Sequence, residues 1–143
     1  MEKFQIYLAG GVANEPDEGR GWREKAAVIF NEHFENDDYK VVVIDPTKYF
    51  TYSDRKDEES DKQIKRFYYD MIQKSQLLLV NLDRSKLSPG TAMEVQFARD
   101  KGIEIIGFGK EDVYPWILEE CQVVFPSMLS AIDYIKEYYI ERR

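Results

Sequence analysis

Glu94 is the residue whose position in this chain most strongly suggests chemistry. It lies in SPGTAMEVQFARDKG, residues 88–102, with apolar neighbours on both sides. Ser88 and Pro89 are typical of a helix start, so Glu94 follows an open helix N-terminus, which favours an ionised carboxylate. A partly desolvated carboxylate is a competent nucleophile, and its natural electrophile is the anomeric carbon of a sugar.

Asp70 is a candidate partner for this carboxylate. It occurs in RFYYDMIQKS, on a predicted helix that leads into the most hydrophobic strand, so its side chain could reach the same cleft. Two carboxylates in different environments can divide the work of nucleophile and proton donor. The alternative is a role for either residue at the surface or in helix capping.

Small polar residues and glycines form a candidate ligand loop. The Ser88 hydroxyl and the backbone N–H groups of Gly90 and Thr91 could bind an anion, although a plain helix cap explains them equally well. Gly10 and Gly11 follow the first strand and permit close approach of a ligand to the backbone. Their spacing matches neither the dinucleotide fingerprint nor the Walker loop.

Composition narrows the class of protein. The chain has 143 residues, with 43% hydrophobic and 33% charged residues, which fits a single domain over 1–143. No apolar run reaches about 18 residues and no signal-peptide pattern is present, so a cytoplasmic protein without a membrane span is expected. A net charge of −7 argues against a partner such as duplex nucleic acid.

Metal sites and disulfides are not indicated. Cys121 is the single cysteine, which excludes an internal disulfide and favours the role of a small buried hydrophobe. His33 is the single histidine, on a predicted surface helix, and there is no Cys/His cluster with the spacing of a zinc site.

The hydrophobic pattern alternates between strands and helices. Strands are predicted at 4–10, 40–46, 76–82, 103–109 and 121–125, and helices at 22–35, 59–75, 89–101, 116–120 and 127–141. Short apolar strands joined by helices indicate an α/β three-layer sandwich with a five-stranded parallel sheet of flavodoxin-like order 2-1-3-4-5. Ligands bind beyond the carboxyl ends of such strands, where the loops at Gly10–Gly11, from Asp45 onward and at Asn81–Gly90 should meet.

Three motifs together resemble the nucleoside 2-deoxyribosyltransferase superfamily. They are YLAGG at 7–11, YYDMIQKSQLLLVNLD at 68–83 and SPGTAMEVQFA at 88–98, and their order and spacing match over roughly residues 4–109. The resemblance implies that Glu94 is a nucleophile forming a glycosyl-enzyme intermediate and that Asp70 is the acidic partner assisting the nucleobase. It also implies that Tyr7 holds the nucleophile by a hydrogen bond, with strand packing as the alternative.

The resemblance implies cleavage of an N-glycosidic bond, with transfer of the sugar to another base or to water. The partners would be a nucleoside or nucleotide and a free nucleobase, with no metal or organic cofactor. Expected substrate-binding residues are Gly10, Gly11, Arg23, Asn81, Ser88, Gly90 and Thr91. The alternative is a non-catalytic nucleotide-binding sensor on the same fold. The phosphoribohydrolase group is more distant, because LSPGTAME lacks its Gly pair and second Glu.

Two positions depart from the family pattern. Ser88 stands six residues before the nucleophile, where transferases acting on free nucleosides carry an acid that binds the sugar 5′-hydroxyl. In this respect the chain is similar to the nucleoside 5′-monophosphate N-glycosidases, and Arg20 and Arg23 could add positive charge, unless they are ordinary exposed arginines. A 5′-monophosphate is therefore expected to be preferred. Gln96 replaces the usual Gly, which leaves the family resemblance intact.

Two aromatic segments are expected near the cleft. The residues Tyr49–Tyr52 form a candidate lid over the base, or else part of a subunit interface. The family assembles as dimers or larger oligomers, so this chain is expected to be a homo-oligomer. The stretch VYPW at 113–116 is predicted to cross the boundary between subunits.

Overall fold

Five parallel strands form one sheet with the order β2-β1-β3-β4-β5. The structure is a computed structural model that describes residues 2–12, 15–33, 39–49 and 61–141. The strands are β1 (Glu2–Ala9), β2 (Tyr39–Ile44), β3 (Leu77–Asn81), β4 (Glu104–Phe108) and β5 (Val123–Phe125). The predicted sheet, its parallel pairing and its strand order are confirmed.

The helices are α1 (Arg20–His33), α2 (Asp61–Gln73), α3 (Pro89–Asp100), α4 (Pro115–Glu120) and α5 (Met128–Ile135). A π-helical segment, Lys136–Ile140, continues α5. The sequence pattern missed two short 3-10 turns, Pro46–Lys48 and Ser85–Leu87, because three residues are too few to show a periodicity.

Apolar residues of the central strands pack against helices on both faces of the sheet. In β1, Ile6 and Leu8 point to one face, while Tyr7 and Ala9 point to the other. Successive side chains of a strand alternate between faces, so a strand that is buried on both sides is apolar throughout. This explains the continuous apolar runs on which the prediction of a parallel sheet depended.

The two faces are covered by different helices. Buried residues of α1 and α5 pack on the face that contains Ile6. Buried residues of α2, α3 and α4 pack on the face that contains Tyr7, and we call this the Tyr7 face. The result is the predicted three-layer arrangement, in which α3 lies over the middle of the sheet and presents its side chains towards β1 and β3.

The loops after β1 and β3 meet closely at the carboxyl edge of the sheet. A Cβ atom at Gly10 would lie 3.2 Å from the Cβ of Asn81, tighter than most real contacts. Glycine at this position therefore allows the first loop to pass over the end of β3. The sequence predicted this meeting of loops, and the structure confirms it.

Some predicted features have a different outcome. Cys121 is only half-buried, and its thiol contacts the carbonyl of Ile117 at 3.6 Å. Tyr49 is exposed and its ring packs beside Phe67, whereas 50–52 of the predicted lid lie outside the described residues. No helix within the described part of the chain is long and apolar enough to cross a bilayer.

We expect the core to depend on Leu79 in the central strand. Its side chain is completely buried, so Leu79→Ala should lower the free energy of unfolding by about 2–5 kcal/mol through lost burial and a residual cavity. Chemical denaturation measures this change. The same substitution at Leu129, which is 57% exposed, is the matched control and should change stability by less than about 0.5 kcal/mol. Equal effects at both positions would contradict the described packing.

Candidate active site

Glu94 and Tyr7 are joined by a short hydrogen bond. The Tyr7 hydroxyl donates to Glu94 Oε2 at 2.5 Å, which is typical of a hydroxyl bonded to a charged or strongly accepting carboxyl group. Tyr7 is fully buried on the Tyr7 face of β1, and Glu94 projects from the second turn of α3. Burial of Tyr7, followed by the nearby Glu94 charge, raises its pKa, so this hydroxyl stays protonated as a donor.

Burial dominates the ionisation of Glu94. Removal from water raises the pKa of this carboxyl group to about 7, against the lowering effects of the Tyr7 hydrogen bond and the Arg23 charge. Burial therefore opposes the ionisation that a nearby helix N-terminus favours. The field of a helix terminus falls off within the first turn, and Glu94 is in the second.

Arg23 is buried beneath the loop that follows β1. Only 1% of its surface is exposed. Its guanidinium donates to the carbonyl oxygens of Leu8 at 3.1 Å, Gly10 at 3.0 Å and Gly19 at 2.9 Å. Arg23 is therefore not an exposed arginine, and its guanidinium is engaged by backbone carbonyl oxygens.

The helical spacing contained the signal that Arg23 is buried. Ala26 and Phe30 lie three and seven positions after it and are fully buried, so all three side chains share one stripe of α1. The helix predicted from the sequence begins at Trp22, and the apolar face assigned to it does not include Arg23. A charged side chain on the apolar stripe of a helix should be considered as a buried, bonded group.

Asp45 is a second buried carboxylate near the same guanidinium. It is 5% exposed and follows β2. Its Oδ1 accepts hydrogen bonds from the backbone N–H and the hydroxyl of Thr47, while Oδ2 has no partner among the described residues. Burial lowers the pKa of Arg23, and the charges of Glu94 and then Asp45 oppose that effect. Arg23 therefore compensates carboxylates from two different elements.

The structure does not bring Asp70 to Glu94. The Asp70 side chain is 58% exposed and bonds Lys74 at 2.8 Å, one turn later on α2. At 3.6 residues per turn, Asp70 lies about 200° around the helix from both Tyr68 and Ile72. Ile72 is fully buried and Tyr68 is partly buried on the Tyr7 face, so the Asp70 side chain points away from that face of the sheet. The predicted pair of carboxylates is not formed.

Tyrosines of α2 occupy the side that faces Glu94. The Tyr69 ring stacks on Phe97 with centroids 4.2 Å apart and an interplanar angle of 17°. Phe97 follows Glu94 by three positions, so the two side chains lie on neighbouring turns of α3. Burial and then the Glu94 charge raise the pKa of Tyr69. Aromatic surface from α2 therefore adjoins the carboxyl group, and no sequence prediction singled it out.

Ser88 lies at the start of α3, opposite the loop after β1. Its hydroxyl shares a 2.6 Å hydrogen bond with the Thr91 hydroxyl and does not cap a backbone N–H. A Cβ at Gly11 would lie 3.8 Å from the Cβ of Ser88, whereas one at Gly90 would meet nothing within 4 Å. Asn81 Oδ1 accepts from the N–H of Asp83 at 3.0 Å. Gly10 thus lies close to Asn81, and Gly11 close to Ser88, at the carboxyl edge of the sheet, and we call the space between these loops the opening.

An ion pair at this opening was not predicted from the sequence. Arg84 contacts both carboxylate oxygens of Glu15, Nε to Oε1 at 2.9 Å and NH2 to Oε2 at 3.0 Å. Its NH1 bonds Glu111 at 3.2 Å. Arg20 bonds Glu18 at 3.3 Å. Glu15, Arg84 and Glu111 are far apart in sequence, so no local pattern indicates that they pair.

The described residues offer no obvious metal site. Across 2–12, 15–33, 39–49 and 61–141, no three His, Cys, Asp or Glu side chains come together in a way that could hold a metal ion.

Solved structures show that the fold is shared with enzymes of nucleoside chemistry. A conserved protein from Enterococcus faecalis V583 superposes with a TM-score of 0.74 at 15% identity, covering 95% of this chain and 99% of that chain. A 2-desoxiribosyltransferase from Leishmania mexicana gives 0.66 at 18% identity, with the same coverage of 95% and 99%. The CMP N-glycosidase of Clostridium botulinum gives 0.55 at 19%, covering 94% and 99%.

Family membership follows from the sequence match. No curated protein sequence matches the chain significantly. The family model for nucleoside 2-deoxyribosyltransferase, however, matches residues 6–128, a range that runs from β1 to the start of α5 and includes Tyr7 and Glu94. This chain belongs to the nucleoside 2-deoxyribosyltransferase family.

Proposed function

We propose that this protein cleaves the N-glycosidic bond of a nucleoside or nucleotide, with Glu94 as the nucleophile. The observation that carries the proposal is the half-buried Glu94 side chain, whose carboxyl group accepts a hydrogen bond from Tyr7 at the carboxyl edge of a parallel sheet. Ligands of open α/β sheets bind at that edge. A carboxylate held in one rotamer there is suited to attack a sugar carbon.

The proposed reaction has two steps. An oxygen of ionised Glu94 forms an ester bond to the anomeric carbon as the bond from that carbon to the base nitrogen breaks. The electron pair of the broken bond leaves with the base, which takes up a proton. Water or a nitrogen of a second base then attacks the same carbon and loses a proton, which balances the proton taken up by the departing base, and Glu94 leaves as a carboxylate. The anomeric configuration is retained, because each step inverts it.

The expected substrate contacts lie around the opening. Gly10 and Gly11 allow the first loop to come close to the sugar. The Tyr69 ring, which stacks on Phe97, offers an aromatic surface for the base. Asn81, Ser88, Gly90 and Thr91 lie towards the start of α3, where the far end of the sugar would sit. Arg23 and Asp70, both expected from the sequence, have no direct contact with substrate in this proposal.

Proteins with similar structures catalyse two different reactions of the sugar. One neighbour is a 2-deoxyribosyltransferase and another is a CMP N-glycosidase, so transfer and hydrolysis both occur on this fold. We propose that this chain performs one of them with a small-molecule nucleoside or nucleotide. The sensor alternative differs in one respect, because a sensor would bind such a compound without breaking the bond.

Removing the nucleophile should abolish turnover. Glu94→Gln keeps the shape of the side chain and an acceptor for Tyr7, yet it cannot form the ester, so turnover should fall by several orders of magnitude. Release of free base from a panel of nucleosides and their 5′-monophosphates, with and without an added base, measures this. Mass spectrometry of wild type during turnover should show the sugar attached to Glu94.

The same variant provides a folding control. The pKa of Glu94 near 7 lies above its unfolded value of about 4.3, so the folded wild type loses stability as pH rises between them. Stability of Glu94→Gln relative to wild type should therefore rise by up to about 3 kcal/mol from pH 5 to pH 8. Near-normal turnover in the folded variant would exclude the nucleophile role, and binding without turnover in wild type would favour the sensor.

The Tyr7 hydroxyl should set the acid limb of the pH profile. Because Glu94 must be ionised to attack, kcat/KM should rise with pH up to a pKa of about 7. Tyr7→Phe removes a hydrogen bond that lowers this pKa, so the limb should move to higher pH. Activity should therefore fall more at pH 6 than at pH 9.

Tyr139 offers a matched control for that experiment. Its hydroxyl donates to Glu104 at 3.1 Å, which is also a tyrosine–glutamate hydrogen bond but lies outside the cleft. Tyr139→Phe should leave the pH profile where it is. If Tyr7→Phe leaves the acid limb unmoved as well, the hydrogen bond to Glu94 has no part in tuning the nucleophile.

We expect a homo-oligomer in which the segment at 113–116 lies between subunits. Trp116 is 74% exposed, and its ring lies beside that of Tyr114 at 6.2 Å. Light scattering at micromolar concentration should give a mass above that of one chain, and Trp116→Glu should lower it. Leu129→Glu, on the other side of the sheet, is the control. A monomeric wild type would contradict this expectation.

A further inference from the structure

Glu15 and Arg84 join two loops at the end of the cleft where α3 begins. Glu15 belongs to the loop after β1, and Arg84 to the loop after β3. Two parallel contacts of 2.9 Å and 3.0 Å link the guanidinium to the two carboxylate oxygens. This bidentate geometry fixes both position and orientation of the carboxylate. A residue of one loop thus positions a charged group of the other.

The Glu15 carboxylate borders the same space as Ser88. A Cβ at Gly11 would lie 3.5 Å from Glu15 Oε1 and 3.8 Å from the Cβ of Ser88. The Glu15 side chain is only 12% exposed, compared with 35% for Arg84. A carboxylate therefore lies at the end of the cleft where the sequence suggested that only a hydroxyl was present.

The charges at this end do not favour an anion. The Glu15 hydrogen bond raises the pKa of Arg84, and the charges of Glu15, Glu111 and Asp83 add to that effect. Three carboxylates thus act on one guanidinium. Arg23 is buried on backbone carbonyls and Arg20 bonds Glu18, so these arginines are already engaged. A phosphate dianion beside Ser88 would meet the Glu15 charge at short range.

We propose that Glu15, held by Arg84, selects the group at the far end of the sugar. It accepts a hydrogen bond from a free 5′-hydroxyl and repels a 5′-phosphate. A carboxylate has about four acceptor sites, of which Arg84 occupies two, so acceptor capacity remains. This assignment rests on the proposed function, and it reverses the preference for a monophosphate that Ser88 alone suggested.

Two matched substitutions test the assignment. The measurement is the ratio of kcat/KM for a nucleoside to that for its 5′-monophosphate, using the four common deoxynucleosides and ribonucleosides as probes. Wild type should favour the nucleoside by about tenfold to a hundredfold, as expected for one charge-assisted hydrogen bond. Glu15→Gln should lower that ratio by a similar factor. Its amide oxygen can still accept from Arg84, so the loop connection is retained in part.

Glu111→Gln is the matched control. Glu111 bonds the same guanidinium at 3.2 Å, but its side chain is 67% exposed. The substitution removes the same charge without touching the space beside Gly11, so the ratio should stay within about twofold of wild type, since an exposed ion pair contributes little. Equal changes in both variants would overturn the assignment in favour of a general charge effect. A wild type that prefers the monophosphate would overturn it as well.

Binding to Glu94→Gln separates this assignment from the proposed function. Calorimetry with each nucleoside and its 5′-monophosphate should give tighter binding of the nucleoside, and Glu15→Gln in the same background should reduce the difference. If wild type cleaves neither compound but this binding pattern is found, the proposed function fails and the assignment stands. If wild type cleaves the compounds but the binding difference is absent or reversed, the assignment alone fails. The absence of both cleavage and binding overturns both.

Discussion

The buried guanidinium of Arg23 is the interaction on which the rest of the site depends. Arginine cannot shed its charge in a protein, so burying it requires hydrogen bonds and compensating charge. The hydrogen bonds are accepted by the carbonyl oxygens of Leu8, Gly10 and Gly19, which lie at the end of β1 and just before α1. The two ends of the loop between these elements are thereby fixed on the sheet. Its glycines then lie against β3 and α3, where a ligand can approach.

The same charge limits how far burial can shift Glu94. Desolvation alone favours the neutral carboxyl group, while the Tyr7 hydroxyl and the Arg23 charge favour the ionised one. The balance leaves a pKa of about 7, so both forms are populated at neutral pH. A carboxylate in this range is more basic than an exposed one, which increases its nucleophilicity, yet it remains a competent leaving group for the second step. Burial and compensation therefore act together on the reacting group.

Periodicity and composition were sufficient to predict the sheet, its strand order and the loops that meet at its edge. A continuous apolar run such as 77–80 indicates a strand that is buried on both faces. The contact between Tyr7 and Glu94 was implied by the resemblance of three motifs to the family. Asp70 was misplaced because a sequence position does not tell which way a helix is rotated, and the α2 stripe through Tyr68 and Ile72 turns it outward. Arg23 was expected either to add positive charge for a phosphate or to be exposed, because neither interpretation used its place on the apolar stripe of α1.

The Glu15–Arg84 pair could not be predicted for a different reason. It links residues that are 69 positions apart and depends on how two loops cross at the sheet edge. Glu94, in contrast, is placed by packing of α3 on β1, which the apolar pattern encodes. Residues of these loops, such as Glu15 and Arg84, contribute little to the hydrophobic core, so they can be substituted without moving Glu94. The proposed selection of the group at the far end of the sugar is thus physically separable from the proposed cleavage, because the first depends on the Glu15–Arg84 contact and the second on the contact between Tyr7 and Glu94.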